Sequence, residues 1–97
     1  MTDTVELGGK IVLTGFAGVD GGSMIILKKI IGNYAKHFSE TVPGFESLVL
    51  ILQPQVAARW IVDAKVVGEK SAHAHTDEKN LFVAIDKALK HLERSLS

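Results

Sequence analysis

The sequence contains no cysteine, which excludes a disulfide framework, thiol redox chemistry and any zinc site built on thiolates. Charge of one sign is also missing: 11 Lys and Arg stand against 11 Asp and Glu. Any attraction to an anionic partner must therefore come from how the basic residues are distributed, not from their number. Long hydrophobic runs are absent too, since the longest apolar stretches fall far short of the roughly 20 residues that cross a bilayer. The opening MTDTVELGGK is polar and acidic, without the basic and apolar regions of a signal peptide. The expectation is a soluble cytoplasmic protein with no membrane partner, held together by packing alone. At 97 residues the chain has room for one hydrophobic core, so a single domain over 1–97 is expected and a large multidomain enzyme is excluded.

What is present is a regular alternation of short apolar segments. Lys10 to Thr14 (KIVLT) is β-branched and apolar and runs into the glycine-rich stretch Gly15 to Gly22, which reads as a strand leading into a loop. Ser23 reads as the N-cap of the helix that follows. From Met24 to about Ser39, residues Leu27, Ile30, Ile31, Tyr34 and Phe38 recur at three- and four-residue spacing and mark one helical face, which Pro43 and Gly44 end. Phe45 to Leu52 (FESLVLIL) is a strand with two apolar faces. Arg59 to Val67 alternates, with Trp60, Val62, Ala64 and Val66 opposite Ile61, Asp63, Lys65 and Val67. A tight connection at Gly68 to Lys70 leads to Ser71 to Asp77, a weaker strand. Asn80 to Ser97 is the clearest helix, capped by Asn80 or Asp77.

The resulting order is β-α-β-β-β-α. The first two strands should pair in parallel through a right-handed crossover, and the last three should form an antiparallel meander. This is an α+β fold: a four-stranded mixed sheet with both helices on one face and the other face uncovered.

Catalytic chemistry has few footholds here. Strand, glycines and helix N-terminus is the geometry of a phosphate loop, but GxxxxGK(S/T) ending at Ser23 requires glycine at position 16 and lysine at 22, where the chain has Phe16 and Gly22. Turn chemistry accounts for the glycines. No serine sits in a nucleophile-elbow context, and no carboxylate pair is brought together by spacing, so neither an enzyme nor a cofactor is expected. His73, His75 and Asp77 alternate on one strand face, as metal ligands or as a polar solvated surface; without a fourth ligand no metal is assigned. Trp60 is open between stacking on a base and packing in the core.

The basic residues are more informative. Lys87, Lys90, His91 and Arg94 lie at i, i+3, i+4 and i+7 on the last helix, a stripe flanked by Asp86 and Glu93. On the first helix Lys29 and Lys36 lie one above the other, with Lys28, Asn33 and His37 nearby, away from the apolar stripe. An anionic partner and a solvated helix face both account for this pattern.

The segment LFVAIDKALKHLERSL (Leu81 to Leu96) resembles the final helix of the short ribosome hibernation-promoting factors, also called ribosome-associated inhibitors, at Phe82, Ala84, Ile85, Asp86, Leu92 and Glu93. IVLTG (Ile11 to Gly15) is similar to that family's first strand and glycine, and NYAKHF (Asn33 to Phe38) to the end of its first helix. The resemblance implies a fold like a double-stranded RNA-binding domain. It also implies a partner, the rRNA of the small ribosomal subunit near the decoding region, where binding silences translation under stress. Carried over by position, the rRNA-contacting residues are Lys28, Lys29 and Lys36 on the first helix and Lys87, Lys90 and Arg94 on the last, and His91 joins the expected RNA-binding set by its place in the stripe. The glycine-rich loop and the lack of a lysine-rich extension after Ser97 depart from the family and imply weaker rRNA affinity. No DNA partner is implied. The alternative is a homodimer or protein-interaction module that uses Val49, Ile51, Ile61 and Val67 on the uncovered sheet face, with no RNA role.

Overall fold

The alternation of the strand segments and the helical spacing of the others are both realised in the computed structural model, which describes residues 4–7, 10–53 and 57–96. Pro54, read as a strand boundary, lies outside the described residues. The elements are β1 (Thr4–Leu7), β2 (Ile11–Thr14), α1 (Gly21–Thr41), β3 (Ser47–Leu52), β4 (Trp60–Val67), β5 (Ala72–Glu78) and α2 (Leu81–Leu96). From β2 onward this is the expected β-α-β-β-β-α order in an α+β fold. β2 and β3 are parallel, with Leu13 opposite Leu50, while β3, β4 and β5 form the antiparallel meander. The polar opening does not announce β1, which pairs antiparallel with β2 and adds an edge strand to the expected four.

Two ends of α1 differ from the sequence reading or sharpen it. The N-cap is Asp20, not Ser23: the Asp20 carboxylate accepts the Ser23 amide at 3.0 Å and its hydroxyl at 2.7 Å. Gly21 and Gly22 therefore form the first helical turn, where amides lack intrahelical partners in any case. At the other end the Val42 amide donates to the Phe38 carbonyl at 2.8 Å, and Gly44 turns the chain at a φ of +63° after Pro43. For α2, Asn80 is the cap, its side-chain oxygen accepting the Val83 amide at 3.2 Å.

One core joins both helices to one sheet face. Leu13, Leu48, Leu50, Val62, Ala64 and Val66 are buried against Leu27, Ile31 and Phe38 of α1 and against Ile85, Leu89 and Leu92 of α2. Thr76 is the one buried polar side chain among the described residues; its hydroxyl donates to the Ala84 carbonyl at 2.8 Å, tying β5 to α2. Gly15, which ends β2, has a φ of +84°, and a Cβ there would collide with the Leu52 carbonyl oxygen. No helix among the described residues is long and apolar enough to cross a membrane.

Candidate nucleic-acid interface

Helical spacing sets the outward face of α2, and the core dictates which way it turns. With Ile85, Leu89 and Leu92 fully buried, Lys87, Lys90, His91 and Arg94 are all left exposed. They line a groove of about 510 Å³ between α2 and the edge strand β5, whose other wall carries His75, Asp77 and Glu78. The expected α2 stripe is therefore assembled on one surface. Each of two lysines already has an acidic neighbour: Lys87 Nζ is 3.3 Å from Glu78 and Lys90 Nζ is 2.9 Å from Asp86. The hydrogen bond and charge of Asp86 raise the Lys90 pKa. The groove thus balances Lys87, Lys90 and Arg94 against Asp77, Glu78 and Asp86.

The α1 lysines are also exposed, and Lys28, Lys29 and Lys36 make no ion pair among the described residues. They do not join the α2 stripe directly. His37 is turned toward α2, its Nε2 3.3 Å from Glu93, and Tyr34 lies against the same junction. Burial, and then the charges of Asp86 and Glu93, push the Tyr34 phenol pKa up. A carboxylate-lined seam therefore runs between the two basic groups. By helical rotation Lys29 and Lys36 face outward, while Lys28 falls on the flank away from α2. Beside Lys29 on α1, Ile25 and Ile26 are 61% and 51% exposed. Their signal in the sequence is an excess of apolar residues from Met24 to Ile31 that no single helical face can absorb.

On the uncovered face the three alternating residues separate. Asp77 is engaged by Arg59, whose Nε is 2.6 Å from its carboxylate. The carboxylate between the histidines is instead Asp63, 2.7 Å from His75 Nδ1 and 3.8 Å from His73 Nε2, with Gln53 donating to it at 3.1 Å. Hydrogen bonding from His75 outweighs burial and holds the Asp63 carboxyl below its ordinary pKa of 3.8. No group of three His, Asp or Glu side chains among the described residues has the arrangement of a metal site. Asp63 was in view as an open-face residue of β4, but its pairing with His75 requires the strand register.

Trp60 packs partly against the core and also borders a second cleft, of about 420 Å³, formed with the glycine loop and the start of α2. Lys79 and Phe82 complete it.

No family model matches the chain, and no curated protein matches it in sequence. The fold has solved counterparts. A ribosomal subunit interface protein from Coxiella burnetii matches it with a TM-score of 0.58 and 14% identity, over 90% of each chain. At that identity the likeness is one of fold.

Proposed function

We propose that this chain is a non-enzymatic, ribosome-associated protein of the cytoplasm that binds small-subunit rRNA near the decoding region. Under stress it inhibits translation by occupying the space of mRNA and tRNA. The observation that carries this is the exposed row Lys87, Lys90, His91 and Arg94 beside the β5 edge, on a fold shared with a protein named for the ribosomal subunit interface. Ammonium and guanidinium groups in such a row make charge-assisted contacts to phosphate oxygens, which position a protein on RNA without reading sequence. Lys29 and Lys36 supply a second, separate contact. Because Glu78 and Asp86 pair with Lys87 and Lys90, each lysine exchanges a carboxylate for a phosphate on binding. Sedimentation of the protein with small subunits, competed by tRNA and mRNA, is the test; failure to sediment at low salt overturns the proposal.

A second reading rests on the uncovered sheet face, where Val49 and Ile51 lie beside each other and Ile51 is 37% exposed. A homodimer through that face would be seen by light scattering as a mass that falls on dilution and on Val49→Asp. A monomer at all concentrations excludes it.

A further inference from the structure

Two sequence features have no part in the interface above, the glycine loop after β2 and the single tryptophan. The fold brings them together. Gly18 and Val19 of the loop, Trp60 at the start of β4, and Lys79 and Phe82 at the β5–α2 junction line one cleft of about 420 Å³, within the range of small-molecule sites. Trp60 and Phe82 are both half-buried, held by the core at one end and open at the other. That is how an aromatic is placed to receive a flat ligand. Lys79 is exposed and makes no ion pair among the described residues, unlike Lys87 and Lys90 further along. The cleft sits at the N-terminal end of α2, the helix whose exposed face lines the basic groove.

We propose that this cleft binds a nucleobase carrying a phosphate, the base against Trp60 and Phe82 and the phosphate on Lys79. The inference deepens the RNA proposal above and rests on it for the class of ligand. The other wall fixes the orientation. Asp20 also lines the cleft, and its carboxylate is kept ionised by the hydrogen bonds from Ser23 that lower its pKa. A phosphate is repelled from the Asp20 side and drawn to the Lys79 side. Base–aromatic stacking tolerates any base, so the cleft should take an unpaired nucleotide without strong sequence preference.

Because Trp60 is the only tryptophan, its fluorescence reports on this cleft alone. The experiment titrates the intact protein with hexauridylate, hexaadenylate, UMP and AMP at low salt. Saturable quenching is expected, weakened about tenfold or more in Lys79→Glu, a change at an exposed position that leaves the fold intact. Tighter quenching by the hexamers than by the mononucleotides assigns the cleft to an RNA strand; equal affinity assigns it to free nucleotide. Absence of quenching, or quenching unaltered by Lys79→Glu, overturns the proposal. The same samples are sedimented with ribosomes. Ribosome binding without quenching rejects the cleft and keeps the RNA proposal, whereas quenching without ribosome binding does the reverse.

Discussion

The Asp63 carboxylate on β4 lies 2.7 Å from Nδ1 of His75 on β5, and the two residues are direct cross-strand partners. An ionised carboxylate only accepts, so the imidazole Nδ1–H donates. His73 and Lys65 flank the pair on the same face, and Gln53 donates to the other carboxylate oxygen. The folded-state pKa of Asp63 is lowered, so its contribution to stability is present above the ordinary value of 3.8 and is lost as pH falls through the lowered one. Asp63→Asn should be less stable at neutral pH by no more than about 1 kcal/mol, as for other partly exposed pairs. Urea denaturation at intervals below about pH 5 should show a shallower acid loss in the variant than in the wild type. Parallel curves would remove Asp63 from the acid response.

Thr76 is tested by an isosteric change. Thr76→Val keeps the buried shape and removes the hydroxyl that reaches the Ala84 carbonyl at 2.8 Å. The expected cost is about 1 kcal/mol, or a fall in Tm of roughly 4–8 °C for a domain of this size. An unchanged Tm would mean that the hydrogen bond contributes nothing net.

Gly15→Ala should be far more damaging than its size suggests. The position combines a φ of +84° with a Cβ directed at the Leu52 carbonyl, so the β2 and β3 ends must part to admit it. Loss of more than about 2 kcal/mol is expected, checked by urea denaturation; a stable Gly15→Ala protein would contradict the close approach.

The paired lysines yield a prediction in the opposite direction from a charge-reversal experiment. Neutralising their partners, as Glu78→Gln with Asp86→Asn, releases Lys87 and Lys90 from the contacts at 3.3 and 2.9 Å and should tighten rRNA binding several-fold. Filter binding to small-subunit rRNA reads this directly. Weaker binding would mean that the carboxylates position the lysines rather than compete for them.

Element order was legible because each segment carries its own period: Val62, Ala64 and Val66 alternate onto the buried face, and Ile85, Leu89 and Leu92 repeat at helical spacing. β1 was not legible, because the alternation in Thr4–Leu7 (TVEL) lasts only four residues after a polar, acidic start, too short to mark a strand without its pairing to β2. The cap of α1 was displaced because glycine propensity argues against Gly21 and Gly22 in a helix, while the Asp20 side chain outweighs that preference locally. The α2 stripe was legible from spacing, but Glu78 beside Lys87 was not, since it sits across the turn on another element. Asp63 had a usable signal: a hairpin symmetric about Glu69, the middle of the Gly68 to Lys70 turn, sets Asp63 opposite His75. The Trp60 cleft joins three segments distant in sequence, and no local pattern reveals such a meeting.

On the proposed function, the outward face of α2 holds ribosomal RNA by phosphate contacts. The most direct measurement is co-sedimentation of the protein with small ribosomal subunits across a salt series, for the wild type and for Lys87→Glu/Lys90→Glu/Arg94→Glu. The expected result is binding that weakens with salt, with a log–log slope of about −3.5 to −4.5 for five phosphate contacts, three on α2 and two on α1, and no binding by the folded triple variant. Binding that ignores salt, or that survives the three reversals, would contradict the account.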